Sequence, residues 1–288
     1  MPYRVSPPSV REHLSFSQLE LAASCGEAYR RRYVEGERGL DAMNVPALVG
    51  SGFHLAAQEF EVEHDLQDDG GRGFQWGKHA NKALSTMTKD AVRYILDEGG
   101  IDSDELIYYG KQDLGYFFRE GIPRLARNYL GRRQYEVEEL GFAWAFSPEE
   151  SIELECHLEI AGHPFVAYVD QVFHDSQGRT VIRDLKTGKA RKSHAMQLEQ
   201  YRLALKRAYG IEADYGQALY VNGEQATVHT MKWRLSDGDV ERMTARLVRA
   251  VGDGLFLVNG PFNGHCEVCD FRADCAWGQV DVHATAST

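Results

Sequence analysis

The chain has 288 residues, of which 43% are hydrophobic and 26% charged, with a net charge of −11 and a pI near 5.5. That balance suits a globular protein with a sizeable core, excludes a collagen-like or low-complexity chain, and argues against bulk charge-driven nucleic-acid binding. No apolar run is long enough to span a bilayer, Met1 to Pro8 lacks the apolar core of a secretory signal, and five cysteines make an odd number, so the expectation is a cytoplasmic protein without membrane contact or a disulfide framework.

Residues 1–14 read as extended and Pro-rich. Ser17 with Glu20 predicts a capping box, with Phe16 and Leu21 as its hydrophobic staple, opening a helix that carries Leu19, Cys25, Tyr29 and Tyr33 and ends at Gly36. A second helix is predicted over 46–66, rich in small residues from Ala47 to Ala57. An Asp/Gly-rich loop (67–73) precedes helical stretches at 76–98 and 104–130, which form a helical insert over about 74–130. From residue 136 the pattern alternates as strands do, at 137–146, 151–160, 164–174 and 179–186. A helix at 193–209 stops at Gly210, strands follow at 215–222 and 226–234, and Ser236 with Asp239 starts a helix through Val251. The segment 255–277 is irregular, and 279–288 reads as a disordered tail. This order predicts an α/β fold with a sheet flanked by helices rather than regular βαβ alternation. No internal repeat and no Walker-type phosphate loop is present. The basic clusters Arg30–Arg32 and Lys186–Lys192 are either solvated faces or parts of a local basic groove.

The strongest chemical signal is a hairpin. Tyr168–His174 and Thr180–Lys186 are apolar, alternating runs around the turn Ser176-Gln177-Gly178, with Gly178 at the left-handed position. The implied register pairs Asp175 with Arg179, Val172 with Ile182, and Asp170 with Asp184. Side chains alternate faces, so Asp184 and Lys186 point the same way. Two carboxylates opposed at roughly 5 Å repel each other, and a divalent cation would offset that repulsion. Asp170, Asp184 and the backbone carbonyl of Leu185 supply the oxygen donors that Mg²⁺ or Mn²⁺ prefers, and Lys186 stands where it can orient a water or stabilise charge on a phosphate. Gln197 and Tyr201, at i and i+4, share one helical face.

The run Asp170, then Asp184-Leu185-Lys186-Thr187-Gly188, then Gln197-x3-Tyr201 resembles the PD-(D/E)XK nuclease superfamily, in particular its RecB-like branch. Ala167 stands where that branch usually has Gly. The resemblance implies a restriction-endonuclease-like core made of a central mixed sheet flanked by helices, in a single domain over 1–278. It also implies His54, in the setting Gly50-x3-His54, as a further metal ligand. Gln197 and Tyr201 would position the active-site strand or the nucleic-acid backbone. Many relatives add an upstream Glu; Glu139, Glu138 and Glu153 compete for that place.

Cys266-x2-Cys269-x5-Cys275 has metal-ligand spacing, and Cys156 reads as a plain core residue. Cys25 together with that distant trio resembles the iron–sulfur staple of AddB-type nucleases and of the exonucleases of CRISPR adaptation. That resemblance implies a 4Fe–4S cluster joining Cys25 to the segment 262–277, with structural Zn²⁺ as the alternative that four thiolates equally satisfy. The resulting expectation is a metal-dependent exonuclease acting on DNA, single-stranded ends foremost, in recombination, repair, replication or CRISPR adaptation; the compact free-standing form also fits a virus-encoded recombination nuclease. The alternative is a non-catalytic DNA-binding or assembly subunit.

Overall fold

A computed structural model describes residues 13–37, 45–64, 76–97, 114–191 and 193–278. Seven strands form one mixed sheet. They are β1 (Leu14–Ser15), β2 (Ala143–Trp144), β3 (Ile152–Ile160), β4 (His163–His174), β5 (Thr180–Lys186), β6 (Tyr215–Tyr220) and β7 (Thr227–Met231). β4 pairs with β1 in parallel, with β2 and β5 antiparallel, and with β3. β5 then pairs in parallel with β6, and β6 antiparallel with β7.

The β4–β5 hairpin has the register its sequence predicts, with Val172 opposite Ile182 and Gln171 opposite Arg183. Its turn is built by Asp175. That carboxylate accepts from the N–H groups of Gln177 (2.9 Å) and Arg179 (3.0 Å) and from Arg179 Nε (2.8 Å). Gly178 sits at φ +72°, which only glycine adopts without strain.

The helices are α1 (Phe16–Ser24), α2 (Gly26–Tyr29), α3 (Val45–Glu63), α4 (Trp76–Asp97), α5 (Leu114–Tyr116), α6 (Ile122–Glu138), α7 (Pro148–Ser151), α8 (Ser193–Tyr209), α9 (Asp237–Gly252) and α10 (Gly260–Asn263). Contacts divide the chain into two compact units. One comprises the described residues of 13–37, 157–167 and 235–278, the other those of 45–156 and 168–234.

In the larger unit, α3, α4 and α6 share one apolar core with Leu185, Leu219 and Val221 of the sheet region. α4 buries Ala83, Met87, Ala91 and Ile95, a strict i, i+4 stripe. The small residues of α3 permit its close approach to α4. A Cβ on Gly52 would lie 2.6 Å from Ile95 Cγ1 and 3.1 Å from the Ala91 carbonyl oxygen. Gly52→Ala is therefore expected to overpack the interface and lower stability by about 1–3 kcal/mol, read as a shift in the urea midpoint.

In the smaller unit, α1 packs on α9, and the C-terminal segment returns to α1 and α2. Gly26 N–H donates to the Leu257 carbonyl (2.7 Å), and Asn263 Nδ2 donates to the Ser24 carbonyl (2.7 Å). The Arg30–Arg32 cluster is taken up internally: Arg30 pairs with Glu27 and Glu35, Arg31 with Glu37, and Arg32 with Asp270.

Three sequence expectations need correction. The first helix is capped by Ser15, whose Oγ accepts from Gln18 N–H, and Ser17 lies inside its first turn. That helix also stops at Ser24, because Cys25 is extended (φ −159°) and Gly26 lies against the Leu257 backbone, where a Cβ would be 2.5 Å from nitrogen. The strand expected over 137–146 shrinks to Ala143–Trp144, because α6 continues to Glu138 and buries Arg133 and Glu136 in an ion-pair network. The loop at 67–73, residues 104–113 of the second insert helix and the tail at 279–288 fall outside the described residues.

Candidate metal centre and cysteine cluster

Alternation along β4 and β5 places Asp170, Asp184 and Lys186 on one face of the sheet and Gln171, Phe173, Arg183 and Leu185 on the other. Next to the Gln171–Arg183 pair, a side chain joins the two strands: Asp170 Oδ2 accepts from Leu185 N–H at 2.7 Å. The Leu185 N–H thus ties Asp170 to β5. Asp184 is fully buried, and its Oδ1 lies 2.6 Å from Lys186 Nζ. Its Oδ2 has no hydrogen-bond donor among the described residues. Burial and the neighbouring Asp170 charge push the Asp184 carboxyl up to about 7. Burial likewise raises Asp170, against the pull of His54.

His54 reaches this point from α3. Its Nδ1 is 3.7 Å from Asp170 Oδ2 and 3.7 Å from Glu153 Oε1. Burial alone would lower the imidazole pKa; Glu153 and Asp170 outweigh it, so the net shift is upward. Glu153 stands near the start of β3 with φ +50°, a left-handed conformation that costs a non-glycine residue of order 1 kcal/mol. Ligand atoms of His54, Glu153 and Asp170 all lie within 4.8 Å of one another. Of the three competing glutamates, Glu153 is the one in this cluster. Glu139 is the C-cap of α6, and Glu138 accepts from Gln134 Nε2 at 2.9 Å. No sequence signal separates Glu153 from Glu155 or Glu159 on the same strand.

From α8, Gln197 Nε2 donates to Tyr201 Oη (2.7 Å), and Tyr201 Oη faces Asp170 Oδ1 at 3.5 Å. Both residues are buried, so they act on Asp170 from behind. Burial, then the Asp170 and Asp184 charges, hold the Tyr201 phenol far above its usual pKa, so it remains a donor.

The donor set fits a hard divalent cation: two carboxylates and an imidazole grouped together, beside a buried carboxylate oxygen that lacks a donor. The structure therefore brings together His54, Asp170, Asp184, Lys186, Gln197 and Tyr201, and adds Glu153.

In the smaller unit, Cys25, Cys266, Cys269 and Cys275 line one cavity together with Arg31, Phe271 and Arg272. All five cysteines of the chain are free thiols. Burial, then the nearby Cys25, raises the Cys266 thiol; burial also raises Cys269. Thiols gathered without a cation resist ionising, which a bound cation would reverse. Gly260 packs against two of these cysteines. A Cβ there would lie 2.9 Å from Cys266 Sγ and 3.4 Å from Cys25 Sγ. Four thiols lining one cavity fit a tetrathiolate-bound centre. Cys156 lies apart, buried on β3, with its thiol pushed up to about 12 by burial and Glu155.

No helix among the described residues is long and apolar enough to cross a membrane. No curated protein matches the chain. Two similar solved structures are distant in sequence. One is the protein SSO0001, at 14% identity and TM-score 0.37, covering 92% of this chain and 96% of that one. The other is a Eubacterium rectale protein described as a candidate exonuclease, at 12% identity and TM-score 0.45, covering 92% and 93%. The profile of the PD-(D/E)XK nuclease superfamily, by contrast, aligns from residue 13 to residue 276, through the hairpin and through all four clustered cysteines. A match over nearly the whole length identifies this chain as a member of the PD-(D/E)XK nuclease superfamily.

Proposed function

We propose that this chain is a metal-dependent deoxyribonuclease, an exonuclease acting on single-stranded DNA ends, which carries an iron–sulfur cluster. The observation that carries the catalytic part is the convergence of His54, Glu153 and Asp170 beside the buried Asp184–Lys186 pair. His54, Glu153 and Asp170 would hold Mg²⁺ or Mn²⁺, with Asp184 and the Leu185 carbonyl completing the donor set. When bound, such an ion supplies Lewis acidity to the phosphate and eases deprotonation of water. Lys186 Nζ, fixed by Asp184, orients the attacking water and balances the charge that develops on the phosphate oxygens. Tyr201, itself held by Gln197, fixes Asp170 as an outer-shell partner. Burial of Asp184 gives it a low-dielectric surrounding in which its charge, once formed, acts strongly.

Cys25, Cys266, Cys269 and Cys275 are the proposed ligands of a 4Fe–4S cluster that ties α1 and α2 to the C-terminal segment. We place the protein in the cytoplasm, in recombination, repair, replication or CRISPR adaptation. Anaerobically purified protein is expected to be brown and to contain iron; stoichiometric zinc without iron would replace the cluster by structural Zn²⁺. Gly260→Ala intrudes on two of the sulfurs and is expected to cost roughly ten-fold in cofactor affinity, read as lost iron content at unchanged expression.

The deciding experiment is digestion of single strands blocked at the 5′ or the 3′ end, in Mg²⁺ or Mn²⁺, by wild type and Lys186→Ala. Wild type should degrade one blocked form and not the other. Equal activity of the two proteins would sink the assignment.

A further inference from the structure

The loop leaving β5 after Lys186 carries Lys189 and Arg191, both exposed, and delivers the chain into α8. Its exit is fastened to His194 twice. His194 N–H donates to the Arg191 carbonyl (3.3 Å), and Arg191 N–H donates to His194 Nδ1 (3.4 Å). The same Nδ1 lies 2.8 Å from Tyr220 Oη, and the two rings stack at 5.7 Å. Tyr220 is the register partner of Lys186 on the parallel neighbour β6, where Val221 N–H donates to the Lys186 carbonyl (3.0 Å). The imidazole is thus held beside the proposed cleavage site by contacts to two elements.

A backbone N–H can only donate, so the contact from Arg191 makes Nδ1 an acceptor and assigns the ring proton to Nε2. Burial, with Lys186 and Arg191 nearby, lowers the pKa to about 4 and keeps the ring in that neutral form at physiological pH. An Nε2–H is then a fixed donor, preceded in sequence by two exposed cations. Neither His194 nor this loop is needed by the metal chemistry derived above.

We propose that His194 Nε2–H, with Lys189 and Arg191, forms a phosphate-binding subsite for the DNA strand beside Lys186, and that Tyr220 is the residue positioning the imidazole. The donor set matches a phosphodiester: one neutral directional hydrogen bond and two mobile charges. This inference rests on the nuclease reading and deepens it, because it names what grips the strand next to the bond that is cut.

The test uses the full-length protein and a fluorescein-labelled single-stranded oligonucleotide. Steady-state cleavage is measured in Mg²⁺, and binding by anisotropy in the cleavage-deficient Asp184→Ala background. His194→Ala is expected to raise KM and Kd about ten-fold while kcat stays within about two-fold, the loss of one charge-assisted hydrogen bond. Tyr220→Phe, which frees the ring, should raise KM by less. His194→Gln, whose amide nitrogen replaces Nε2–H, should recover most of the binding, which a purely structural histidine would not predict. Lys189→Ala and Arg191→Ala should each flatten the slope of log Kd against log salt by about 0.7. If His194→Ala does not fold, the glutamine variant and the salt slopes decide. Wild-type KM and Kd in His194→Ala, or a loss confined to kcat, would overturn the subsite. Wild-type protein that neither binds nor cuts DNA would instead remove the nuclease reading on which it rests.

Discussion

Asp184→Asn is expected to abolish DNA cleavage, by about 10³-fold or more, and to leave the metal-free protein at least as stable as wild type. The two effects have one cause. Asp184 is fully buried, its Oδ2 has no donor among the described residues, and Asp170 lies close enough to raise its pKa. Without a cation, that arrangement opposes the charged form. A carboxyl raised to about 7 in the folded protein contributes stability below its unfolded value near 4, and that contribution is lost as pH rises through 7. The neutral amide avoids the loss, so its advantage in EDTA should be larger at pH 8 than at pH 5. Addition of Mn²⁺ should reverse the order. Wild type gains about 2.7 kcal/mol at a hundred times Kd, while the variant gains little. Thermal melts at the two pH values, with EDTA or Mn²⁺, check this beside a cleavage assay. A variant that melts well below wild type in EDTA at pH 8 would mean that Asp184 is a structural ion-pair partner of Lys186 rather than a group held in readiness for metal.

Much of this site was legible because its parts are local. The β4–β5 register follows from alternation and one glycine turn, so Asp170, Asp184 and Lys186 fall on one face without knowledge of the rest of the fold. The i, i+4 spacing of Gln197 and Tyr201 places them together for the same reason, and the cysteine spacing pointed to the cavity those thiols now line. What escaped depends on distant partners. The sequence leaves Glu153 level with Glu138 and Glu139, because it joins the cluster through a left-handed backbone at the head of β3 that nothing in Ile152-Glu153-Leu154 encodes. The break at Cys25 is set by Leu257, more than two hundred residues away. The strand expected over 137–146 begins only at Ala143, and the polar stretch from Arg132 to Glu138 belongs to α6. It is helix because its charges find partners on α3 and β5.

That buried charge network carries the second large prediction: Glu136→Ala should destabilise the protein by roughly 3–5 kcal/mol. Glu136 has no solvent exposure and accepts from Arg183 through two guanidinium nitrogens (2.8 and 2.6 Å) and from Arg133 Nη1 (3.0 Å). Arg133 is anchored in turn by Glu61 (2.7 Å), which also accepts from Tyr129 Oη (2.8 Å). Both guanidiniums lie over the Phe173 ring, at 4.6 and 4.7 Å. Arg183 immediately precedes Asp184 and faces the opposite side of the sheet, so the network fixes β5 from behind the site. Among the described residues, removing Glu136 strands Arg183 with only Gln217 as a polar partner and leaves Arg133 to Glu61 alone. Replacing Arg183 by Met and Glu136 by Leu together should cost less than Glu136→Ala, because Leu fills the vacated position and Arg183 is no longer a buried cation short of a partner, while Arg133 keeps Glu61. The same pair gives wild type a defined acid limit. Burial would raise Glu136, but Arg183 and Arg133 outweigh it and lower its pKa to about 2. A carboxylate depressed in the folded state stabilises above its unfolded pKa of about 4.5, and that stability, roughly 3 kcal/mol, is lost as pH falls from 4.5 through 2. Urea titrations between pH 7 and pH 2 should show this acid loss in wild type and a flatter profile in the Arg183→Met, Glu136→Leu double variant. Equal acid slopes in the two proteins would mean that carboxylates elsewhere govern acid unfolding and that this network contributes little to it.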